Sequence, residues 1–177
     1  MPEVRCFTPG EASAGLLREV RLLLEQAFAG DFSPADWEHA LGGWHVVAVA
    51  DGAALAHAAV VPRVLEVGGR AWPAGYVEAV VTVPERQREG LGSAVMSEVG
   101  ELLRREFELG ALATGRHAFY ERLGWERWRG PTCVRRDAEM IRTEADDDAV
   151  MVLRFGPSAD VDLTAPILCE ARSGDHW

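Results

Sequence analysis

Lysine is absent: all eighteen basic residues of the 177-residue chain are arginine. That absence excludes the chemistries that need a lysine amine, namely the Walker-type phosphate loop, Schiff-base catalysis and attachment of pyridoxal phosphate. Cysteine is scarce. Cys6, Cys133 and Cys169 are widely spaced and form no Cys-x-x-Cys pair, so they read as small packing residues rather than a zinc cluster or redox motif. The five histidines, His39, His45, His57, His117 and His176, show no metal-ligand spacing, and no metal is expected. His45 and His57 fall in strand patterns, where a satisfied, half-buried imidazole is the common outcome. No run approaches 18 consecutive apolar residues, and residues 1–20 carry no basic leader ahead of an apolar stretch. The expectation is a cytoplasmic protein that does not enter a membrane. Internal repeats and low-complexity tracts are also lacking.

What is present is ordinary for a globular chain: 48% hydrophobic and 26% charged residues. At about 150 residues per domain, 1–177 reads as a single domain. The net charge is −10 and unevenly spread. Residues 1–83 hold 5 basic and 10 acidic side chains, residues 84–136 hold 10 and 8, and residues 137–177 hold 3 and 10. An anion can therefore dock in the middle, while both flanks suit a cationic partner. Nucleic acid is a poor partner for such a chain, because attraction to phosphate supplies much of that affinity.

Leu16, Leu17, Val20, Leu23, Leu24, Ala27 and Phe28 recur at helical spacing behind Ser13, and Ser33-Pro34 opens a short second helix through Ala40. Strands are expected over 44–50, 53–61 and 64–67, with Asp51-Gly52 as a hairpin turn and Pro62 as a break. Residues 76–83 form an apolar, β-branched strand ended by Pro84. Leu91 to Phe107 is an amphipathic helix stopped at Gly110, followed by a strand at 111–114, a helix at 116–122 and strands at 125–129 and 149–155. Residues 130–148 are polar and read as a long surface loop. The order implies an α/β chain of α+β type, with a mixed, mostly antiparallel sheet and helices on both faces.

The most informative stretch is Val80 to Gly92. A strand runs into Gln87-Arg88-Glu89-Gly90-Leu91-Gly92 and a helix begins at once. Glycines let main-chain N–H groups approach a ligand, and a helix start adds partial positive charge, so such a turn can hold a diphosphate without lysine. Arg86 and Arg88 add charge beside it. Taken alone, the same residues also suit a plain strand-turn-helix connection.

Gln-x-x-Gly-x-Gly after a strand, with Phe119-Tyr120 and Gly124-Trp125 about thirty residues later, resembles the signature of the GNAT acetyltransferases. The likeness extends further. Asp31-Phe32, Asp36-Trp37-Glu38-His39, Leu41-Gly42-Gly43, His57-Ala58-Ala59-Val60, Gly75-Tyr76-Val77-Glu78, Leu109-Gly110-Ala111-Leu112, Gly130-Pro131-Thr132, Asp146-Asp147-Asp148 and Gly174-Asp175-His176-Trp177 are similar to blocks of the mycobacterial-type aminoglycoside 2'-N-acetyltransferases. The resemblance implies the GNAT fold and acetyl-CoA as co-substrate. It implies an acetyl-CoA segment at about 77–108, and a tail at 157–177 that contributes to the acceptor site. It also implies main-chain contacts from Val80, Val81 and Thr82 to the pantetheine arm, and a pyrophosphate wrapped by Gln87, Arg88, Glu89, Gly90, Leu91 and Gly92.

N-acetylation needs a neutral amine, whereas an aliphatic amine is mostly protonated near pH 7, so a base is required. Glu78 stands in an apolar strand, where an unpartnered carboxylate is costly. An outward or salt-bridged glutamate fits the spacing equally, and the family position favours the base. Tyr120 occupies the family's place for a group that protonates or hydrogen-bonds the departing thiolate; as a bare pattern it is also a packed aromatic. The resemblance places a cationic sugar on Asp31, Asp36, Glu78, Ala79, Ala113, Asp146, Asp147, Asp175 and Trp177, the last through a terminal carboxylate. Without it, Asp146-Asp147-Asp148 reads as a solvated loop. Anchoring carboxylates raise the pKa of a nearby amine, so base and anchors should contact different nitrogens.

Two departures from the family pattern bear on the acceptor. Ala111 to Arg116 lacks a serine expected near Ala113, and Ala79 replaces a glycine. Two alternatives therefore stand beside aminoglycoside acetylation: N-acetylation of another cationic amine such as a polyamine or peptide-like metabolite, and a non-catalytic acyl-CoA-binding module. Residues 62–73 match loosely and read as an external hairpin or a homodimer surface.

Overall fold

Ser13 and Ser33 start the first two helices of the computed structural model, which describes residues 2–177. At α1 (Ala14–Ala27) the Ser13 hydroxyl accepts from the Leu16 N–H at 3.2 Å. At α2 (Pro34–Leu41) the Ser33 hydroxyl accepts from the Asp36 N–H at 3.2 Å, and the Asp36 carboxylate accepts from the Ser33 N–H at 2.8 Å. These caps satisfy N–H groups that a first turn leaves unpaired. Two more helices follow, α3 (Leu91–Glu106) and the short α4 (His117–Glu121).

Ten strands form among the described residues: β1 (Glu3–Phe7), β2 (Trp44–Ala50), β3 (Ala53–Val67), β4 (Arg70–Thr82), β5 (Leu109–Ala113), β6 (Glu126–Arg127), β7 (Thr132–Arg136), β8 (Glu139–Arg142), β9 (Val150–Arg154) and β10 (Ile167–Glu170). Hydrogen-bonded neighbours run β6-β9-β5-β4-β3-β10-β7-β8, with β1 joined to β2 and β2 to β3. β4 pairs in parallel with β5, and β7 with β10; β1–β2, β2–β3, β3–β10, β5–β9, β6–β9 and β7–β8 are antiparallel. The sheet is mixed, as expected. Asp51 and Gly52 have φ of 51° and 81°, the two left-handed residues that a tight hairpin of this twist needs.

The elements differ from the sequence pattern in four places. β3 runs unbroken through Pro62, and β4 begins six residues before Tyr76, at Arg70. The polar stretch 130–148 contains the hairpin β7–β8. β1 and β10, both short, were not anticipated.

The chain divides into two compact units, and β3, β4 and α3 each continue from one into the other. The first comprises the residues up to Val61 and Val77–Glu101. Its core joins Val20, Leu23 and Leu24 of α1 to Phe7, Val47 and Val49, with Ala79, Val81 and Val83 packed against them. Each buried leucine contributes about 1.5–3 kcal/mol. Gly43 belongs here because a Cβ would stand 2.0 Å from the Val60 carbonyl oxygen. The second unit comprises Pro62–Tyr76 and Leu102–Trp177. Its core gathers Leu65, Trp72, Tyr76, Leu109, Val152 and Ile167, with Trp177 among them.

Candidate active site

In the first unit, the end of β4 carries Glu78, Ala79, Val80, Val81 and Thr82, all half-buried. Ala79 has φ 53°, a left-handed conformation that breaks the strand's regular alternation. The Val83 N–H donates to the Leu55 carbonyl of β3 at 2.9 Å. Alternation then turns the Val81 N–H toward β3 and the N–H groups of Thr82 and Val80 to the opposite edge. These two N–H groups are the main-chain donors on that edge of β4.

Past Thr82, a single 3-10 turn (Pro84–Arg86) leads to the exposed residues Gln87, Arg88, Glu89 and Gly90. Arg88 and Gly90 have φ of 69° and 84°, and the Gly90 carbonyl accepts the Ala94 N–H at 2.9 Å, which makes Gly90 the residue that caps α3. A turn of this shape, running into the unpaired N–H groups at the start of a 16-residue helix, fits a diphosphate. Leu91 is buried and anchors the helix start; Gly92 lies in its first turn. Arg86 pairs with Glu89 at 2.6 Å, so Arg88 is the cation of this turn that no acidic neighbour on the turn engages.

The first unit also holds Asp31 and Asp36. Asp31 is exposed, whereas Asp36 is engaged as the reciprocal cap of α2. Its carboxylate has a structural task, which the sequence pattern Ser-x-x-Asp already carries.

In the second unit, Tyr120 lies on α4, 7% exposed, with its ring edge-on to Phe119 at 4.9 Å and to Trp125 at 6.2 Å. Burial pushes its phenol up to about 12, against a smaller opposing pull from Arg116. The hydroxyl therefore keeps its proton throughout the physiological range. Ala113 ends β5 and is half-buried.

Asp146 and Asp147 have different surroundings. Asp147 Oδ1 accepts from the Thr132 N–H and hydroxyl, both at 2.9 Å, and from Arg142 Nη1 at 2.6 Å, while Oδ2 meets Arg142 Nη2. Hydrogen bonds from Arg142 and Thr132 hold its carboxyl well below the usual range. Asp147 thus ties down the β7–β8 hairpin, and its carboxylate is already engaged. Asp146 is raised instead, first by burial and further by the negative charge of Asp175, with Thr143 opposing. Asp146, Asp175 and His176 therefore interact, and Asp175 is exposed.

The segment around Asp175 is held by two arginines that the sequence did not single out. Arg63 donates to the carbonyl oxygens of His176 at 2.6 Å and Glu170 at 2.9 Å, and Arg172 Nε donates to the Asp175 carbonyl at 2.8 Å. Both guanidinium groups lie over the Tyr76 ring, at 4.8 and 5.4 Å. The Trp177 side chain is buried in the second core. No local signal marks Arg63, because both of its carbonyl partners are more than a hundred residues away in sequence.

A model of the acetyltransferase (GNAT) domain matches residues 11–128. Over 162 residues, 89% of this chain and 83% of the relative, the sequence is 46% identical to an aminoglycoside 2'-N-acetyltransferase of Mycolicibacterium fortuitum. Among solved structures, a GNAT family N-acetyltransferase from Escherichia coli in complex with CoA has a TM-score of 0.67 at 18% identity, covering 95% of this chain and 89% of that one. A probable N-acyltransferase from Enterococcus faecalis V583 has a TM-score of 0.61 at 22% identity over 72% of this chain and 33% of that one, so this chain spans about a third of its length.

Proposed function

The chain belongs to the GNAT acetyltransferase family, and from that premise we propose that it acetylates the 2'-amine of an aminoglycoside by direct attack, with acetyl-CoA and acceptor bound together. Acetyl-CoA-dependent N-acetyl transfer follows from the family. The acceptor rests on one observation, the close likeness through nearly the whole chain to a relative bearing that name.

Acetyl-CoA supplies the acetyl group as a thioester. Val80 and Thr82 hold the thioester-bearing pantetheine arm through main-chain groups, whereas Val81, whose N–H turns to β3, is engaged by the sheet; the Gln87–Gly92 turn holds the diphosphate at the start of α3. Glu78 takes a proton from the acceptor's ammonium, directly or through one water, so that the nitrogen lone pair can form the C–N bond. Tyr120 donates a hydrogen bond to the sulfur as the C–S bond breaks, the second nitrogen proton passes to solvent as the amide forms, and the thiolate is protonated from solvent after release. No cysteine is needed, because no acyl-enzyme forms.

Asp146 and Asp175 attract the sugar's other ammonium groups. A carboxylate at contact distance in a partly shielded groove attracts an ammonium by about 4 kcal/mol before desolvation. Asp31 is an exposed carboxylate of the first unit, while Asp36 and Asp147 are left to their structural bonds. The −10 charge also speaks against a nucleic-acid partner, and a cytoplasmic site suits a consumer of acetyl-CoA. Among the described residues, no helix is long and apolar enough to cross a membrane.

A thiol-release assay with acetyl-CoA and aminoglycosides that carry or lack a 2'-amine tests the acceptor. Turnover should require that amine. Equal turnover without it, or turnover only on polyamines or peptides, would replace the acceptor class.

A further inference from the structure

Two imidazoles in the first unit form a chain of hydrogen bonds that ends on a peptide of β4. The β2–β3 register sets His45 opposite Ala59 and Val47 opposite His57, so the two histidines lie diagonally on one face of the strand pair. Both are fully buried, rather than half-buried as their strand positions suggested. His45 Nδ1 lies 2.9 Å from His57 Nε2, and His57 Nδ1 lies 2.7 Å from the Ala79 carbonyl oxygen.

These contacts assign the protons. A carbonyl oxygen only accepts, so His57 Nδ1 carries a hydrogen; the neutral ring then offers Nε2 as acceptor, and His45 donates from its own Nδ1. Burial keeps both rings neutral, lowering His45 to about 4 and His57 to about 3. His45 Nε2, which has no hydrogen-bond partner, is left as a bare acceptor, and an orphaned acceptor is better tolerated than an orphaned N–H.

Packing alone does not call for this pair. Phe7 stacks on His45 at 5.8 Å and Trp37 lies at 6.1 Å, so a leucine or phenylalanine would fill the space without desolvating ring nitrogens. What the pair adds is a hold on Ala79, a non-glycine residue in a left-handed conformation that persists only where its surroundings enforce it.

We propose that His57, kept in its Nδ1–H tautomer by His45, is a positioning residue that locks the Ala79–Val80 peptide plane and thereby aims the Val80 N–H at the thioester carbonyl. The peptide is planar and trans, so the Ala79 oxygen and the Val80 N–H point in opposite directions. Anchoring the oxygen on His57 turns the N–H to the edge of β4 away from β3, the same edge that the Val83–Leu55 bond assigns to it. Donation into the oxygen also polarises the N–H and makes it a stronger donor. The inference rests on the acetyl-transfer reading and on Val80 as a main-chain contact.

Two measurements test it. In the ligand-free protein, two-bond proton–nitrogen correlations of labelled histidine should show Nδ1–H tautomers at both His45 and His57 from pH 6 to 8, and an Nε2–H form at His57 overturns the proposal. In kinetics, His57→Leu should lower kcat about tenfold or more with the KM for acetyl-CoA changed less than about twofold, as expected when a contact made only in the transition state is lost. His57→Asn, which keeps an N–H near the Nδ1 position, should recover kcat to within about threefold of wild type, and His57→Gln, whose amide sits nearer Nε2, should not. Equal losses in the Asn and Gln variants, or a loss confined to KM, contradict the proposal, and that contrast stands even if His57→Leu does not fold. A wild-type protein that acetylates no amine defeats the functional reading while the tautomers remain measurable, so the two fail separately.

Discussion

Replacing Tyr120 with phenylalanine removes one hydroxyl and leaves the ring contacts with Phe119 and Trp125 in place. The size of the effect follows from the acidity of the phenol. Burial pushes Tyr120 to about 12, whereas an ordinary thiol ionises near about 8.5. Complete transfer of the phenolic proton to a thiolate would therefore run uphill by about 3.5 in pKa, roughly 4.8 kcal/mol at 1.36 kcal/mol each. A hydrogen bond to the departing sulfur avoids that penalty and contributes about 1.5–3 kcal/mol when one partner is charged. Converted to rate, Tyr120→Phe should lower kcat about 10- to 150-fold. Because the phenol stays protonated to about 12, Tyr120 adds no basic limb to the rate profile at lower pH. Steady-state thiol release by both proteins from pH 6 to 10 measures these outcomes. An unchanged kcat refutes a role for the hydroxyl. A basic limb below pH 10 that vanishes in the variant, or a loss beyond about 10⁴-fold, would instead require full proton transfer and contradict the acidity argument.

Glu78→Gln should cost about 10²- to 10⁴-fold in kcat and abolish the acid limb of the pH–rate profile; an acid limb that persists unchanged would remove Glu78 as the base. Asp147→Ala should lower Tm, because it strands the buried Thr132 N–H and removes the carboxylate that pairs with Arg142, while the Thr132 hydroxyl keeps the Thr143 carbonyl as acceptor; it should leave the KM for the aminoglycoside unaltered. Since the Asp147 carboxyl is held below its ordinary value, its stabilising contribution is complete above about pH 4 and fades as pH falls through the folded value. The Tm gap between wild type and Asp147→Asn should accordingly narrow in acid, and a gap that widens there would contradict the assignment. Asp146→Asn should do the reverse of Asp147→Ala, raising that KM roughly threefold to tenfold with Tm intact. Gly43→Ala drives a methyl into the Val60 carbonyl and should cost about 1–3 kcal/mol, roughly 2–12 °C in Tm for a chain of this size. An unshifted melting curve would mean that the strand moves aside freely.

Elements whose signals are local were legible in the residues. Ser13, the Ser33-Pro34 start, Asp51-Gly52 and the apolar spacing from Leu91 onward each specify their own geometry. Pro62 misled because its effect depends on neighbours. It falls between the stretch of β3 paired with β2, Ala53–Val60, and the stretch paired with β10, Leu65–Val67, so on that side no ladder partner loses a bond. The β7–β8 hairpin was hidden because all four residues of β8 are exposed and show no apolar alternation. The candidate site divides in the same way. The turn from Gln87 to Gly92 stands out through glycines and a helix start, and Glu78 through a charge in an apolar strand, but each pattern also fits an ordinary structural residue and only the family resemblance favours the site. The separate fates of Asp146 and Asp147 depend on Arg142 and Thr132, and Arg63 acquires its task through contacts more than a hundred residues away in sequence. Spacing along the chain does not encode such partners.

The most direct test of the whole account is the identity of the product formed from acetyl-CoA and an aminoglycoside bearing a 2'-amine, resolved by mass and by two-dimensional NMR. The account predicts one acetyl group per thiol released, located on the 2' nitrogen. An acetyl group on a different nitrogen, or thiol release without an acetylated sugar, would contradict it.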